Sequence, residues 1–262
     1  PGYNDGGKNY GIDPVGSYVR TFSVPEAWDG RRTFIHFGGI YSAAFVWLNG
    51  QYVGYTQGAN NVTEFDITKY LKKGAENRLA VQVFRWSDGS YLECQDMFRM
   101  SGIFREVYLF NTPKAAVRDH YVTSNISFDG NNQATKADVD VELTFDNRDK
   151  EQTTKQVVAK LYAPNGKLIG EKQLPNFNTA DGAETHVAFT VDNPQLWSAE
   201  MPHLYTLCIV QKNAQGNDEM AFATKVGLRK IEIKNSLLYV NNKRVFLKGV
   251  NRHDTSPIHG RA

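Results

Sequence analysis

The sequence predicts an all-β chain, with two β-sandwiches in tandem and a terminal hairpin, on three observations. Apolar side chains occupy every second position of the stretch KADVDVELTFDN (136–147), and this period of two indicates an antiparallel strand with one solvated face. Asn49-Gly50 separates two apolar runs, which is a strong signal for a two-residue β-hairpin. Only one helical turn is predicted, and it begins at Asp66 and ends at Gly74.

Residues 1–114 are predicted to form the first and larger sandwich. The β-rich runs RLAVQVF and IFREVYLF follow the Asn49-Gly50 hairpin. The pattern of β-rich apolar runs changes near Thr112-Pro113, so we place the first domain boundary after residue 114.

Residues 115–229 are predicted to form a smaller, immunoglobulin-like sandwich. Pro164-Asn165-Gly166 turns the chain between two strands, and three further apolar runs follow at sandwich-like spacing. Residues 230–262 contain another hairpin signal, Asn241-Asn242, and then a polar tail. This last piece is too short to be a domain by itself.

Composition excludes several classes of function. The chain has 262 residues and a net charge of +2, which gives no argument for a nucleic-acid partner or an anionic membrane surface. No apolar run has the length of a transmembrane helix. The two cysteines, Cys94 and Cys208, are interpreted as buried free thiols and do not fix the compartment.

The polar tail NRHDTSPIHGRA is the first candidate site. Its histidines, His253 and His259, are six residues apart, which fits neither one helical face nor a zinc-finger pair. Two interpretations stay open: an ordinary surface loop, or a loop that forms hydrogen bonds to a polyhydroxylated ligand.

Two further segments are candidate sites. Residues 87–109 mix carboxylates, Asp96 among them, with arginines; this predicts either structural ion pairs or a carboxylate that faces a ligand or a hard cation such as Na⁺ or Mg²⁺. Residues 9–16 are rich in proline and glycine and predict a loop around Asp13. The four tryptophans are more typical of core packing than of sugar stacking: Trp28, Trp47, Trp86 and Trp197.

Four longer stretches are particular enough to carry a resemblance: FGGIYSAAFVWLNGQYVGYTQGANNVTEFDITKYL, SDGSYLECQDMFRMSGIFREVYL, NPQLWSAEMPHLYTL, and VGLRKIEI followed by LLYVNNKRVFLKGVNRHDTSPIHG. Together they resemble glycoside hydrolase family 2, and within it the large bacterial β-galactosidases. The resemblance implies a jelly-roll (galactose-binding-like) sandwich, an immunoglobulin-like sandwich, and, in residues 230–262, the first hairpin of a truncated (β/α)₈ barrel.

The resemblance also implies that the chain is an N-terminal portion of a retaining enzyme. In that family both catalytic glutamates belong to the barrel, which would continue after Ala262. No glutamate of this sequence matches them, and neither Glu93 nor Glu106 is assigned that role. We therefore expect no catalytic residue here and no turnover by the chain alone.

Three positions match family positions that touch substrate. The resemblance implies that Asp96 reaches the galactose pocket and helps bind sodium. It implies that His253 forms hydrogen bonds to galactose hydroxyls and supports the transition state. Asp13 stands where the family has an asparagine, so donation from a side-chain amide is lost. Phe98 and Cys94 also depart from the family, which has tryptophan and an acidic residue there.

The implied whole protein hydrolyses terminal β-D-galactosides. We expect no cofactor in the chain itself, and Na⁺ and Mg²⁺ in the whole enzyme. We expect a soluble homo-oligomer of the bacterial cytoplasm or periplasm, with no nucleic-acid or membrane partner. The alternatives are a stand-alone carbohydrate-binding or adhesion module, another family 2 activity such as β-glucuronidase, and a purely architectural role.

Overall fold

The computed structural model describes residues 13–92, 101–151, 155–175, 179–251, 256 and 258. The chain divides into two compact units. Unit 1 consists of Pro1–Thr112 and Val250–Ala262, and unit 2 consists of Pro113–Gly249. The three-domain division made from the sequence stays a prediction.

Unit 1 contains nine described strands and three short helical segments. The strands are β1 (Val15–Phe22), β2 (Arg32–Phe37), β3 (Ile40–Tyr41), β4 (Ala43–Leu48), β5 (Gln51–Gln57), β6 (Thr63–Asp66), β7 (Asn77–Phe84), β8 (Gly102–Ile103) and β9 (Val107–Thr112). The helical segments are the 3₁₀ turns Glu26–Trp28 and Thr68–Tyr70 and the single turn α1 (Gly89–Leu92).

These strands form a β-sandwich with a buried core. One sheet has the order β1-β7-β4-β5, the other has the order β6-β2-β9, and β3 pairs with β8. Neighbouring strands are mostly not consecutive in sequence, as in a jelly roll. The core lies between inward-facing residues of both sheets, including Val46, Val81 and Ile35.

The predicted hairpin at Asn49-Gly50 is confirmed. Both residues have positive φ, 54° and 82°, which a type I′ turn requires. Strand β5 carries a β-bulge opposite Val46, so that Val53 and Gly54 both face inward. A Cβ on Gly54 would lie 2.5 Å from Phe65 Cε1, which explains the glycine.

The predicted helical turn after Asp66 is present as a 3₁₀ turn, Thr68–Tyr70, but its N-cap is Ile67, which forms no side-chain cap, and its C-cap is Leu71 instead of Gly74. Asp66 Oδ1 accepts hydrogen bonds from Thr68 N at 3.0 Å and from Thr68 Oγ1 at 2.6 Å. The expectation of a single helical segment is wrong, because Glu26–Trp28 and α1 are also helical. Segments of three or four residues are too short to show helical periodicity.

Unit 2 is a seven-stranded sandwich plus a small sheet. Its strands are β10 (Ala116–Phe128), β11 (Ala134–Asp146), β12 (Gln156–Tyr162), β13 (Leu168–Pro175), β14 (Glu184–Asp192), β15 (Tyr205–Lys212), β16 (Asp218–Val226), β17 (Ile231–Lys234), β18 (Leu237–Val240) and β19 (Lys243–Arg244). The sandwich sheets are β10-β11-β14 and β13-β12-β15-β16, and this arrangement is immunoglobulin-like. The all-β fold class is thus confirmed.

The alternation in β11 is confirmed residue by residue. Its inward side chains are all buried: Ala137, Val139, Val141, Leu143 and Phe145. The predicted turn at Pro164-Asn165-Gly166 is also present, with Gly166 at φ 83°.

Two hairpins, not one, build the small sheet β17-β18-β19. The predicted turn, Asn241-Asn242, has φ of 52° and 60°. A second turn, Asn235-Ser236, has φ of 49° and 62°, and the sequence did not identify it because serine is uncommon there. Asn241 Nδ2 donates to Trp197 O at 3.0 Å and ties this sheet to the sandwich of unit 2.

Two smaller expectations are settled in part. Cys208, in β15, is free but half-buried instead of fully buried, and Cys94 lies outside the described residues. Among the described helices, none is long and apolar enough to span a membrane.

Candidate functional site

Asp13 is held at the end of the β1–β7 ladder of unit 1. Its Oδ1 accepts a hydrogen bond from Trp86 N at 3.0 Å, and the neighbouring carbonyl of Pro14 accepts one from Arg85 N at 3.1 Å. Asp13 is exposed, so its second carboxylate oxygen can accept hydrogen bonds from a hydroxylated ligand. A carboxylate has no donor to offer in return.

Asp96 and His253, the other two predicted site residues, lie outside the described residues. Their roles toward sugar, and that of Asp96 toward sodium, stay predictions. Within the described ranges, no group of three or more His, Cys, Asp or Glu side chains is placed to hold a metal ion.

An open groove of about 390 Å³ begins next to the Asp13 anchor. Its aromatic lining comes from three strands and the segment after β7: Phe45, Tyr55, Phe84 and Trp86. Its polar lining consists of Gln57, Ser87 and Asp88. The volume is typical of small-molecule sites, which range from about 300 to 1,000 Å³.

Phe45 is the centre of the aromatic lining. Its ring lies 4.8 Å from Tyr55 and 5.6 Å from Phe84, between ring centroids. Trp47 and Tyr52 continue the array along the same sheet face, at 5.9 Å and 6.2 Å from Phe45. These tilted and edge-on contacts fix the rings against one another while leaving part of each in solvent.

Hydrogen-bonding groups stand along one side of these rings. Tyr55 Oη donates to Gln57 Oε1 at 2.6 Å. Burial, and secondarily the charge of Asp88, raises the pKa of Tyr55, so its hydroxyl stays protonated at neutral pH. Within the described part of the chain, Ser87 Oγ is buried and has no hydrogen-bond partner. The groove therefore offers hydroxyl, amide and carboxylate groups next to apolar rings.

Sequence reasoning missed this groove, although the rings themselves are visible in the sequence. The sequence favoured core packing for the tryptophans, whereas all four are half-buried and none belongs to either buried core. The usable signal was the outward positions of β4, Phe45 and Trp47, which alternate with buried Val46 and Leu48.

A larger groove, of about 620 Å³, lies within unit 2 and contains none of the predicted site residues. Its tryptophan, Trp197, is already engaged inside that unit. The Arg229 guanidinium lies 4.7 Å from the ring centroid, and a Cβ on Gly227 would lie 2.9 Å from Trp197 Cγ. Trp86 of the groove beside Asp13 has a similar arginine neighbour, Arg85, at 5.1 Å. We take that groove as the candidate site because it adjoins Asp13, a predicted site residue.

Three models of one family match nearly the whole chain. Residues 6–113 match the sugar binding domain of glycosyl hydrolases family 2, residues 115–229 match the model described as glycosyl hydrolases family 2, and residues 231–262 match the family's TIM barrel domain. The fold and these matches agree on one family, and the chain belongs to glycosyl hydrolases family 2.

The chain is also similar in sequence to two curated relatives, both β-galactosidases. The chain is 42% identical over 253 residues to a β-galactosidase of Priestia megaterium, covering 95% of this chain and 24% of that protein. It is 42% identical over 255 residues to a β-galactosidase of Pectobacterium atrosepticum, with the same coverage of 95% and 24%. The chain thus spans about a quarter of the length of these relatives.

Solved structures share the fold. A glycosyl hydrolase family 2 member from Bacteroides cellulosilyticus superposes with a TM-score of 0.81 at 25% identity, over 95% of this chain and 31% of that one. The β-glucuronidase of Bacteroides uniformis gives 0.80 at 21% identity, over 95% and 30%. At that lower identity the likeness concerns the fold alone.

Proposed function

We propose that the whole protein to which this chain belongs is a retaining β-galactosidase, and that the chain supplies part of the galactoside pocket without the catalytic glutamates. The observation that carries the proposal is the 42% identity to two β-galactosidases over 95% of the chain. The β-glucuronidase likeness is weaker, at 21% identity.

Retaining hydrolysis of a glycoside needs two carboxylates with different roles. One carboxylate attacks the anomeric carbon, and a second, roughly 5–5.5 Å away, protonates the leaving oxygen. We place both outside these residues. Asp96 and His253 would contact sugar hydroxyls, with Asp96 also a ligand for sodium, and Asp13 would accept a hydrogen bond from the sugar.

The assay compares residues 1–262 with the whole protein on nitrophenyl β-galactoside and nitrophenyl β-glucuronide. We expect turnover of the galactoside by the whole protein and none by the chain alone. Turnover by the pure chain would contradict the placement of the glutamates. A preference of the whole protein for the glucuronide would contradict the substrate class.

Asp13 is tested in the whole protein by Asp13→Ala. Loss of one hydrogen bond to substrate predicts a kcat/KM lower by roughly 3–10-fold. Asp29→Ala is the matched control, because Asp29 is another exposed aspartate of unit 1 and is paired with Lys73 at 2.7 Å. Equal effects of the two variants would remove Asp13 from the site.

A further inference from the structure

The sequence contains two Asn-Gly pairs, and both lie in hairpin turns. Asn49-Gly50 joins β4 to β5 in unit 1, and Asn165-Gly166 joins β12 to β13 in unit 2. The two glycines have nearly the same φ, 82° and 83°. An Asn-Gly pair is chemically labile, because glycine has no side chain to hinder its backbone nitrogen from attacking the asparagine Cγ. The surroundings of the two pairs should therefore decide which of them reacts.

The reaction is deamidation through a cyclic imide. The glycine nitrogen loses its proton to solvent and forms a bond to the asparagine Cγ, while the Cγ–Nδ2 bond breaks and ammonia leaves. Water then adds to either carbonyl of the imide and opens the ring, which gives aspartate or isoaspartate. Water is the only co-reactant, and each event adds one negative charge to the protein.

Asn49 is held by hydrogen bonds to residues far from it in sequence. Its Nδ2 donates to Tyr70 O at 2.9 Å and to Asn77 Oδ1 at 2.8 Å, and its Oδ1 accepts from Arg78 N at 3.0 Å. Asn77 is 0% exposed, so part of this arrangement lies inside unit 1. The Asn49 side chain must break these bonds before its Cγ can turn toward Gly50 N, and its departing nitrogen is held by two acceptors.

Asn165 lies in an open environment, and its side chain already follows its own backbone. Residues 164–168 are all exposed. Asn165 Oδ1 accepts a hydrogen bond from Lys167 N at 3.1 Å, and the ring that this bond closes contains Gly166 N. The same N–H can stabilise the negative charge that develops on Oδ1 during the attack. Gly166 N donates to Ala163 O at 2.8 Å, but this bond belongs to an exposed turn that opens readily.

We propose that Asn165 is a site of spontaneous deamidation, and that the fold protects the identical pair at Asn49-Gly50. The β12–β13 hairpin of unit 2 then accumulates an acidic form. A groove of about 490 Å³ in unit 2 has Asn165, Lys167 and Asp192 in its lining, so the conversion adds a carboxylate to that surface.

The test incubates the whole protein at mildly alkaline pH, digests it at acidic pH to stop the reaction, and follows both asparagines by peptide mass spectrometry. We expect Asn165 to convert at least about tenfold faster than Asn49, because several hydrogen bonds must open before Asn49 reacts. The rate at Asn165 should rise with pH, because the attacking nitrogen must lose its proton. In urea the two rates should become similar, because unfolding removes the protection of Asn49.

Asn213 is the matched control within unit 2. Its Oδ1 accepts a hydrogen bond from Gln215 N at 3.0 Å, as Asn165 Oδ1 does from Lys167 N, but the residue that follows it is Ala214. It should convert several-fold more slowly than Asn165, because the alanine side chain hinders the attack. Asn165→Ser has no side-chain amide in the turn and should remove most of the acidic form seen by isoelectric focusing.

Three results would overturn the proposal. The first is an Asn165 that stays intact in the folded protein but converts in urea, since the turn would then protect it. The second is an Asn49 that converts as fast as Asn165 in the folded protein. The third is an acidic form that Asn165→Ser leaves undiminished, since the charge would then arise elsewhere.

Discussion

Tyr205 of unit 2 and the tyrosines Tyr52 and Tyr55 of unit 1 lie in opposite surroundings. Tyr205 is 2% exposed, and an ion pair of unit 2, Lys155–Glu219, is largely buried. Unit 1 keeps Tyr52 and Tyr55 about half in solvent. The difference teaches that the same residue type can contribute to the stability of one unit and leave the stability of the other almost unchanged, depending on its burial.

The largest effect is expected from breaking the buried ion pair of unit 2. Lys155 Nζ lies 2.6 Å from Glu219 Oε1, and the two side chains are 6% and 14% exposed. Lys155→Met removes the cation from a buried carboxylate that keeps the hydrogen bond from Gln211 Nε2 at 2.7 Å, and it should lower the free energy of unfolding of unit 2 by about 3–5 kcal/mol. Urea denaturation measures it.

The double variant Lys155→Met with Glu219→Leu is the control. Because it removes both charges, it should recover most of the lost stability. A double variant as unstable as the single one would mean that the effect comes from lost packing and not from the loss of the cation beside Glu219.

Removing one tyrosine hydroxyl from each unit compares how much a buried and an exposed hydroxyl contribute to the free energy of unfolding. Tyr205 Oη accepts a hydrogen bond from Gln195 N at 2.9 Å, as in the tyrosine corner of immunoglobulin-like domains, and burial raises the pKa of Tyr205. Tyr205→Phe leaves that N–H without its acceptor and should lower the free energy of unfolding by about 1–3 kcal/mol.

Tyr55→Phe is the counterpart in unit 1, where water can replace the lost hydroxyl. Its effect on the free energy of unfolding should stay within about 0.5 kcal/mol. Thermal and urea unfolding of the two variants would compare them directly, and equal losses would abolish the distinction between the units.

The smallest effect concerns the solvated face of unit 2. Asp140 Oδ2 lies 2.8 Å from His186 Nδ1, and this hydrogen bond, more than the charges of Asp140, Glu142 and Glu184, raises the pKa of His186 above its ordinary 6.5. Asp140→Asn should lower that pKa, as followed by NMR titration of the imidazole. Because the folded pKa is the higher one, the stabilisation is fully present below 6.5 and is lost as pH rises through the folded pKa.

Asp138→Asn is the matched control for this titration. Asp138 lies on the same strand, but its carboxylate accepts hydrogen bonds from Lys136 and Thr190, which lower its pKa. It should leave the His186 titration unchanged. A His186 titration that moves equally in both variants would assign the shift to general charge and not to the hydrogen bond.

The fold could be predicted where sequence signals are local. Asn49-Gly50 and Asn241-Asn242 favour positive φ by their own chemistry, and the alternation of β11 records which face is buried. The turn at Asn235-Ser236 was missed because serine rarely has positive φ. The 3₁₀ turn at Glu26–Trp28 was missed because it is shorter than any helical period.

The candidate site could be predicted only in part, because it is built from distant residues. Asp13 came from a resemblance, and the structure then showed what anchors it, the backbone N–H of Trp86. The groove joins Phe45, Tyr55 and Phe84 from three strands, and the pairing of those strands depends on the whole sheet. No local pattern in the sequence records that pairing.

The bulge in β5 has a consequence for how this surface could change. Tyr52 and Tyr55 are separated by an odd number of positions, so a regular strand would send their side chains to opposite sides of the sheet. The extra residue at Val53–Gly54 corrects the parity, so that Tyr52 stands opposite Trp47 and Tyr55 opposite Phe45. Deleting one residue there would move one tyrosine ring to the opposite side of the sheet without altering any other amino acid. The number of residues in this segment therefore determines the surface as much as their side chains do.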